Sequence, residues 1–166
     1  LKMYICKKNS MSFLVEPLVF GPIRSRRLGK SLGINLLPEV GKICSFDCIY
    51  CECGWNPDDK TNSGIPTKEV FEKTLEKRLQ ELKGSEDEPD SITFSGNGEP
   101  TLHRDFAEII DITIRLRDLY IPNAKISVLT NGTMLHKKEV FDAILKVDNN
   151  IIKIDHFSST PFFVVE

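Results

Sequence analysis

Three cysteines fall within eight residues, Cys44, Cys48 and Cys51, spaced CxxxCxxC shortly after an apolar run. No other feature constrains the chain as strongly. Thiolates this close together favour soft metals, so zinc or an iron–sulfur cluster is indicated. Zinc modules draw four ligands from two separated pairs, and this chain has no second pair. Ferredoxin-type clusters need four cysteines at other spacings. Three cysteines suggest a cluster with one iron left open to something other than protein.

The rest of the chain alternates between two periodicities. Leu32 to Leu37 reads as a buried strand stopped by Pro38. Ahead of it, residues 19–31 mix a Gly21-Pro22 turn with four bases, Arg24, Arg26, Arg27 and Lys30. Thr67 can cap a helix whose first turn suits Glu69. Val70, Phe71, Leu75, Leu79 and Leu82 then recur at helical spacing up to Gly84. Ser91 to Phe94 is a second strand. Asp105 to Leu119 is a second helix on Phe106, Ile109, Ile110, Ile112 and Leu116. Lys125 to Leu129 is a third strand, and Lys137 to Val147 a third helix on Val140, Phe141, Ile144 and Leu145. Ile151 to Ile154 is a fourth strand. This alternation predicts βαβ units with right-handed crossovers and a parallel sheet.

Sites in such folds gather at the C-terminal ends of the strands. The cysteine loop follows the first strand, and Ser95-Gly96-Asn97-Gly98-Glu99-Pro100 follows the second. Thr130-Asn131-Gly132 and Asp155 end the third and fourth, so all four motifs land on one rim. The CxxxCxxC triplet, an aromatic (Tyr50) before its third cysteine, a GEP segment and these strand ends together resemble the radical S-adenosylmethionine (radical SAM) superfamily. Asn97 stands at the first glycine position of that family's GGEP segment. The resemblance implies an α/β fold, a partial (β/α) TIM-like barrel with its cofactor at this rim. Only about four βα units are countable here, and the fifth and sixth strands would lie beyond residue 155.

The resemblance also implies two cofactors. A [4Fe–4S] cluster would sit on Cys44, Cys48 and Cys51, and the amino and carboxylate groups of SAM would chelate its fourth iron. Reductive cleavage of SAM would give a 5′-deoxyadenosyl radical that takes hydrogen from an unidentified substrate, the protein supplying position and shelter. Glu99 is expected against the SAM ammonium, with Asn97 and Gly98 letting backbone approach closely. Tyr50 and Phe46 would flank the adenine or shield the cluster, and Thr130 and Asn131 would reach the ribose hydroxyls. Lys153 and Asp155 are lesser candidates. Cys53 is read as a bystander, because a fourth thiolate would close the position SAM must occupy. The partner implied is an external one-electron donor of flavodoxin or ferredoxin type. A non-catalytic zinc or Fe–S module on Cys44, Cys48, Cys51 and Cys53 is the alternative, and it leaves the GEP segment unexplained.

Ser25-Arg26-Arg27-Leu28-Gly29 upstream resembles a radical SAM subgroup of Fe–S oxidoreductases related to the enzymes that build the wyosine base in tRNA. RNA is therefore a conceivable substrate, but salt bridges from Arg24, Arg26 and Arg27 to the acidic half are the preferred reading. His103, His136 and His156 show no ligand pairing and read as surface residues.

At 166 residues the chain suits one domain with a sizeable core. A net charge of −2 gives no general nucleic-acid footprint. Eight Lys/Arg in residues 1–42 leave room for a local basic patch near the cysteine loop. Five cysteines, an odd number, argue against a disulfide framework and for the reducing cytoplasm. No run approaches a membrane span, and no signal peptide is visible. Residues 1–12, with Cys6, read as a poorly ordered lead-in and 13–155 as the core domain. Residues 156–166 read as the divergent tail of a truncated or frame-shifted copy. Such a copy is expected to keep the cofactor residues, lack part of the substrate wall and cleave SAM without substrate turnover.

Overall fold

A computed structural model describes residues 14–15, 17–57 and 64–154. Cys6, Asp155, His156, the 1–12 lead-in and the 156–166 tail lie outside the described residues. Five strands form one sheet in sequence order: β1 (Val19–Ser25), β2 (Gly29–Ile34), β3 (Ser91–Phe94), β4 (Lys125–Thr130) and β5 (Asn149–Ile152). Strands β2 to β5 are parallel, as the alternation predicts. Helices α1 (Lys68–Leu82), α2 (Phe106–Tyr120) and α3 (Lys138–Leu145) make the crossovers.

The period-2 pattern places one apolar row across the sheet. Leu32 registers with Ile92 and Ile92 with Ile126, one rung below Ile34, Phe94 and Val128. All six are fully buried in the cluster that Phe71, Leu75, Leu79, Phe106, Ile109 and Ile110 complete from the helices. Phe94 meets Phe71 and Phe106 with ring centroids 6.3 and 6.2 Å apart. Alternate positions carry small polar groups, with Ser31 Oγ 2.7 Å from Thr93 Oγ1 and Asn149 Nδ2 donating to Ser127 Oγ at 3.1 Å.

Thr67 caps α1, its hydroxyl accepting from the Val70 N–H, and ion pairs Lys68–Glu108 and Arg115–Glu72 tie α1 to α2. The apolar stripes are narrower than expected. Val70, Phe141 and Leu145 are exposed, while Ala143 and Thr113 take buried positions. Burial is decided by contact with the sheet and the neighbouring helix, so an apolar residue one step off that line faces water.

The larger correction concerns residues 19–31. They do not form a turn with loose bases: β1 pairs antiparallel with β2, from Val19↔Ile34 to Ser25↔Gly29, with an irregularity between Phe20 and Ile23. The Gly21-Pro22 pair occupies that irregularity instead of ending the strand. Pro is compatible with a bulged edge strand, where it leaves no ladder bond unmade. The Phe20 ring lies over Gly33, where a Cβ would come within 2.2 Å of it. The second strand accordingly starts at Gly29, ahead of the expected Leu32, and β5 starts at Asn149, ahead of the expected Ile151.

Candidate cofactor site

The parallel sheet brings the ends of β2, β3, β4 and β5 to one rim. Between β2 and the cysteines, the chain makes one strand-like rung with the turn after β3. Ile43 N donates to Asn97 O and Glu99 N donates to Ile43 O, both at 3.0 Å, with Ile43 opposite Gly98. Gly98 has φ +140°, and a Cβ there would lie 1.8 Å from the Ile43 carbonyl oxygen. Only glycine lets the two segments touch. Cys44 follows Ile43 directly, so this rung fixes the cysteine loop to the GEP turn.

The loop is closed on itself by polar contacts. Asp47 Oδ1 accepts from Asn56 N (2.8 Å), Asn56 Nδ2 (2.9 Å) and Lys42 Nζ (3.1 Å). Asn56 Oδ1 in turn accepts from Cys44 N at 2.9 Å. Burial pushes the Asp47 carboxyl up, but the bonds from Asn56 and Lys42 outweigh it and hold the group below its usual range. Two contacts tie the loop to the end of β4: Ser45 Oγ lies 2.7 Å from Thr133 Oγ1, and Asn131 Nδ2 is 3.6 Å from Cys44 Sγ. A third reaches the end of β5, where the Lys153 ammonium sits 4.1 Å from the centroid of the half-exposed Tyr50 ring.

Three cysteines on one loop, locked against a glycine-bearing turn at the C-terminal edge of a parallel sheet, coincide with a sequence comparison. The profile of the Radical SAM superfamily matches residues 39–164. The chain belongs to the radical SAM superfamily.

Among curated relatives, a UPF0026 protein of Methanocaldococcus jannaschii is 36% identical over 140 residues, 83% of this chain and 40% of that protein. A UPF0026 protein of Synechocystis is 34% identical, covering 84% of this chain and 48% of its own length. A Brachyspira hyodysenteriae protein named GTPase Obg is 32% identical over 163 residues, 96% of this chain and 22% of that protein. The chain thus spans less than half the length of these relatives. No solved structure matches it.

The radical SAM motif residues divide by what holds them. Cys44, Cys48, Cys51 and Cys53 are free thiols, each half-buried. Among the described residues, no three His, Cys, Asp or Glu side chains converge on a single ion. A [4Fe–4S] cluster asks for no such convergence, because its cysteines bind different irons. Soft thiol donors gathered on one loop are the donor type an iron–sulfur cluster takes. Burial pushes the Cys44 thiol up. Burial, and then Cys51, push Cys53 up to about 11. Cys53 Sγ donates to Gly96 O at 3.5 Å, which gives its proton a partner.

Glu99 is buried, with 2% exposure. Its Oε1 accepts from Thr101 N (3.2 Å), Thr101 Oγ1 (2.5 Å) and Thr130 Oγ1 (2.6 Å), while Oε2 accepts from Asn131 N (2.7 Å). The carboxylate clamps the end of β3 to the end of β4, and its spare acceptor capacity lies on Oε2. Thr130 Oγ1 also accepts from Gly132 N, so the hydroxyl's proton and one of its lone pairs are used inside the protein. Asn97 is fully buried with its amide turned inward: Oδ1 accepts from Val15 N, and Nδ2 donates to Val15 O and Pro38 O. The side chain that replaces the family's glycine thus holds an upstream segment.

Two expectations are corrected here. His103 is not a surface residue. It is 3% exposed, with Nε2 donating to Pro66 O at 2.8 Å and Nδ1 accepting from Asp105 N at 3.1 Å. These bonds join the loop before α1 to the start of α2. Arg24, Arg26 and Arg27 lie at the β1–β2 hairpin, the end of the sheet opposite the cysteines. These three arginines therefore put no basic patch at the cysteine loop. Among the described residues no ion pair involves these arginines, so the expected salt bridges to the acidic half are absent there. Lys42, Asp47 and Asn56 carried no sequence signal beyond their nearness to the cysteines.

Proposed function

We propose that this chain binds a [4Fe–4S] cluster through Cys44, Cys48 and Cys51 and holds SAM against the Gly96–Pro100 turn, as part of an enzyme that initiates radical chemistry on a substrate. When bound, the pair supplies a one-electron cleavage that generates a carbon radical able to abstract hydrogen. The observation that carries the reading is the Ile43–Gly98 rung, which anchors the cysteine loop, immediately before Cys44, to the GEP turn at the rim.

The chain's own residues have assignable tasks. Gly98 lets the loop and the turn meet. Glu99 Oε2, with one protein partner, is the acceptor for the SAM ammonium, next to the Asn131 N–H. Tyr50, capped by Lys153, forms one wall of the rim. Asn131 links the end of β4 to Cys44, while Thr130 and Asn97 support the turn from inside. Cys53 keeps its proton and stays out of the ligand set. An external one-electron donor of flavodoxin or ferredoxin type would approach the exposed side of the loop in a reducing compartment such as the cytoplasm.

Anaerobic reconstitution tests this. Iron at about four per chain, a broad visible band and a spectral change on adding SAM are expected. One colourless zinc per chain, dependent on all four cysteines including Cys53, would replace the reading with a closed metal-binding module.

A further inference from the structure

Lys42 is among the largest side chains that the fold buries completely, with 1% exposure. None of the tasks above uses it. Taking an ammonium out of water is costly, and an apolar side chain of the same length would avoid that cost. A charge kept in such a place needs a reason specific to charge. Lys42 stands two residues before Cys44, and its Nζ is 3.1 Å from both Asp47 Oδ1 and Gly54 O. Those acceptors bracket Cys48 and Cys51 in the chain, so one cation closes the loop from both sides. Burial works against the charge, and the bonds to the Asp47 carboxylate and the Gly54 carbonyl are what hold it there.

We propose that Lys42 is the positioning residue of the cysteine loop: its ammonium preforms the loop and fixes a positive charge beside the thiolates. A fixed cation favours the more negative, reduced state of whatever cluster they hold. The second half of the inference rests on the cluster reading, and the first half does not.

The test uses Lys42→Met, Lys42→Arg and Asp47→Asn in the full chain. In the reduced, metal-free protein, amide hydrogen exchange at Cys44, Cys51 and Gly54 should accelerate at least about tenfold in Lys42→Met and in Asp47→Asn. Exchange in α1 and in β4 should not change. After anaerobic reconstitution, the Lys42→Met cluster should be tenfold harder to reduce, about 59 mV more negative for one electron. Lys42→Arg should keep the wild-type potential. A merely structural loop contact would leave the potential unmoved. Unchanged exchange in both uncharged variants overturns the loop assignment, and an unchanged potential in Lys42→Met overturns the electrostatic one. If wild-type protein takes up no iron, the cluster reading fails by itself and the exchange comparison still decides the role of Lys42. If Lys42→Met also loses protection in α1, Asp47→Asn decides it.

Discussion

Replacing Gly98 by alanine is the sharpest perturbation available at the rim. The added Cβ would lie 1.8 Å from Ile43 O, 2.5 Å from Ile43 C and 2.9 Å from Leu37 Cδ1. Two of those atoms are backbone, so no rotamer change relieves the clash. The loop must retreat by roughly 1 Å or more, which stretches the 3.0 Å bonds Ile43 N–Asn97 O and Glu99 N–Ile43 O past useful length. Each lost bond is worth about 1 kcal/mol net. A non-glycine residue at φ +140° adds about 1–3 kcal/mol. Together these give about 3–5 kcal/mol, a large share of the roughly 5–15 kcal/mol that holds a typical domain. Urea unfolding of the reduced, metal-free chain measures the difference, with iron uptake as the parallel readout because Cys44 moves with Ile43. A midpoint equal to wild type with undiminished iron would refute the rung as the device that seats the cysteine loop.

Three further outcomes follow from the site. Alanine at Cys44, Cys48 or Cys51 should abolish cluster binding, whereas Cys53→Ala should retain most iron; equal loss in all four variants would make Cys53 a ligand. Glu99→Ala should weaken SAM binding by about ten- to hundredfold, since a charge-assisted contact is worth about 1.5–3 kcal/mol. It should also lower stability, because four donors lose their acceptor, and isothermal titration on folded, iron-loaded protein separates the two effects. Asn97→Gly, which restores the family's residue, should leave iron uptake intact while Val15 loses its protection from hydrogen exchange; unchanged protection there would show that the Asn97 amide is not what holds that segment.

The sequence by itself determined the parallel βαβ order and the positions of the motifs. Ser91–Phe94 is a strand as read, and α1 and α2 differ from their expected bounds by about a residue. Such features are local: a repeat of 2 or 3.6 residues is visible within a dozen positions, and parallel topology then sends every strand end to one rim. The family resemblance was legible for the same reason, since the cysteines lie within one loop and the GEP segment is continuous.

Tertiary structure decided what depends on partners distant in sequence. The β1 strand exists because β2 pairs with it, and Gly21-Pro22 alone looks like a turn. Asn97 points inward because Val15, 82 residues away, supplies its bonds. His103 is buried because Pro66, 37 residues away, accepts from it. Lys42 resembles any surface lysine in the sequence until the fold encloses it between Asp47 and Gly54. Polar side chains are ambiguous in sequence because water satisfies them as well as protein does. Only the folded arrangement of donors and acceptors shows which of them have left water.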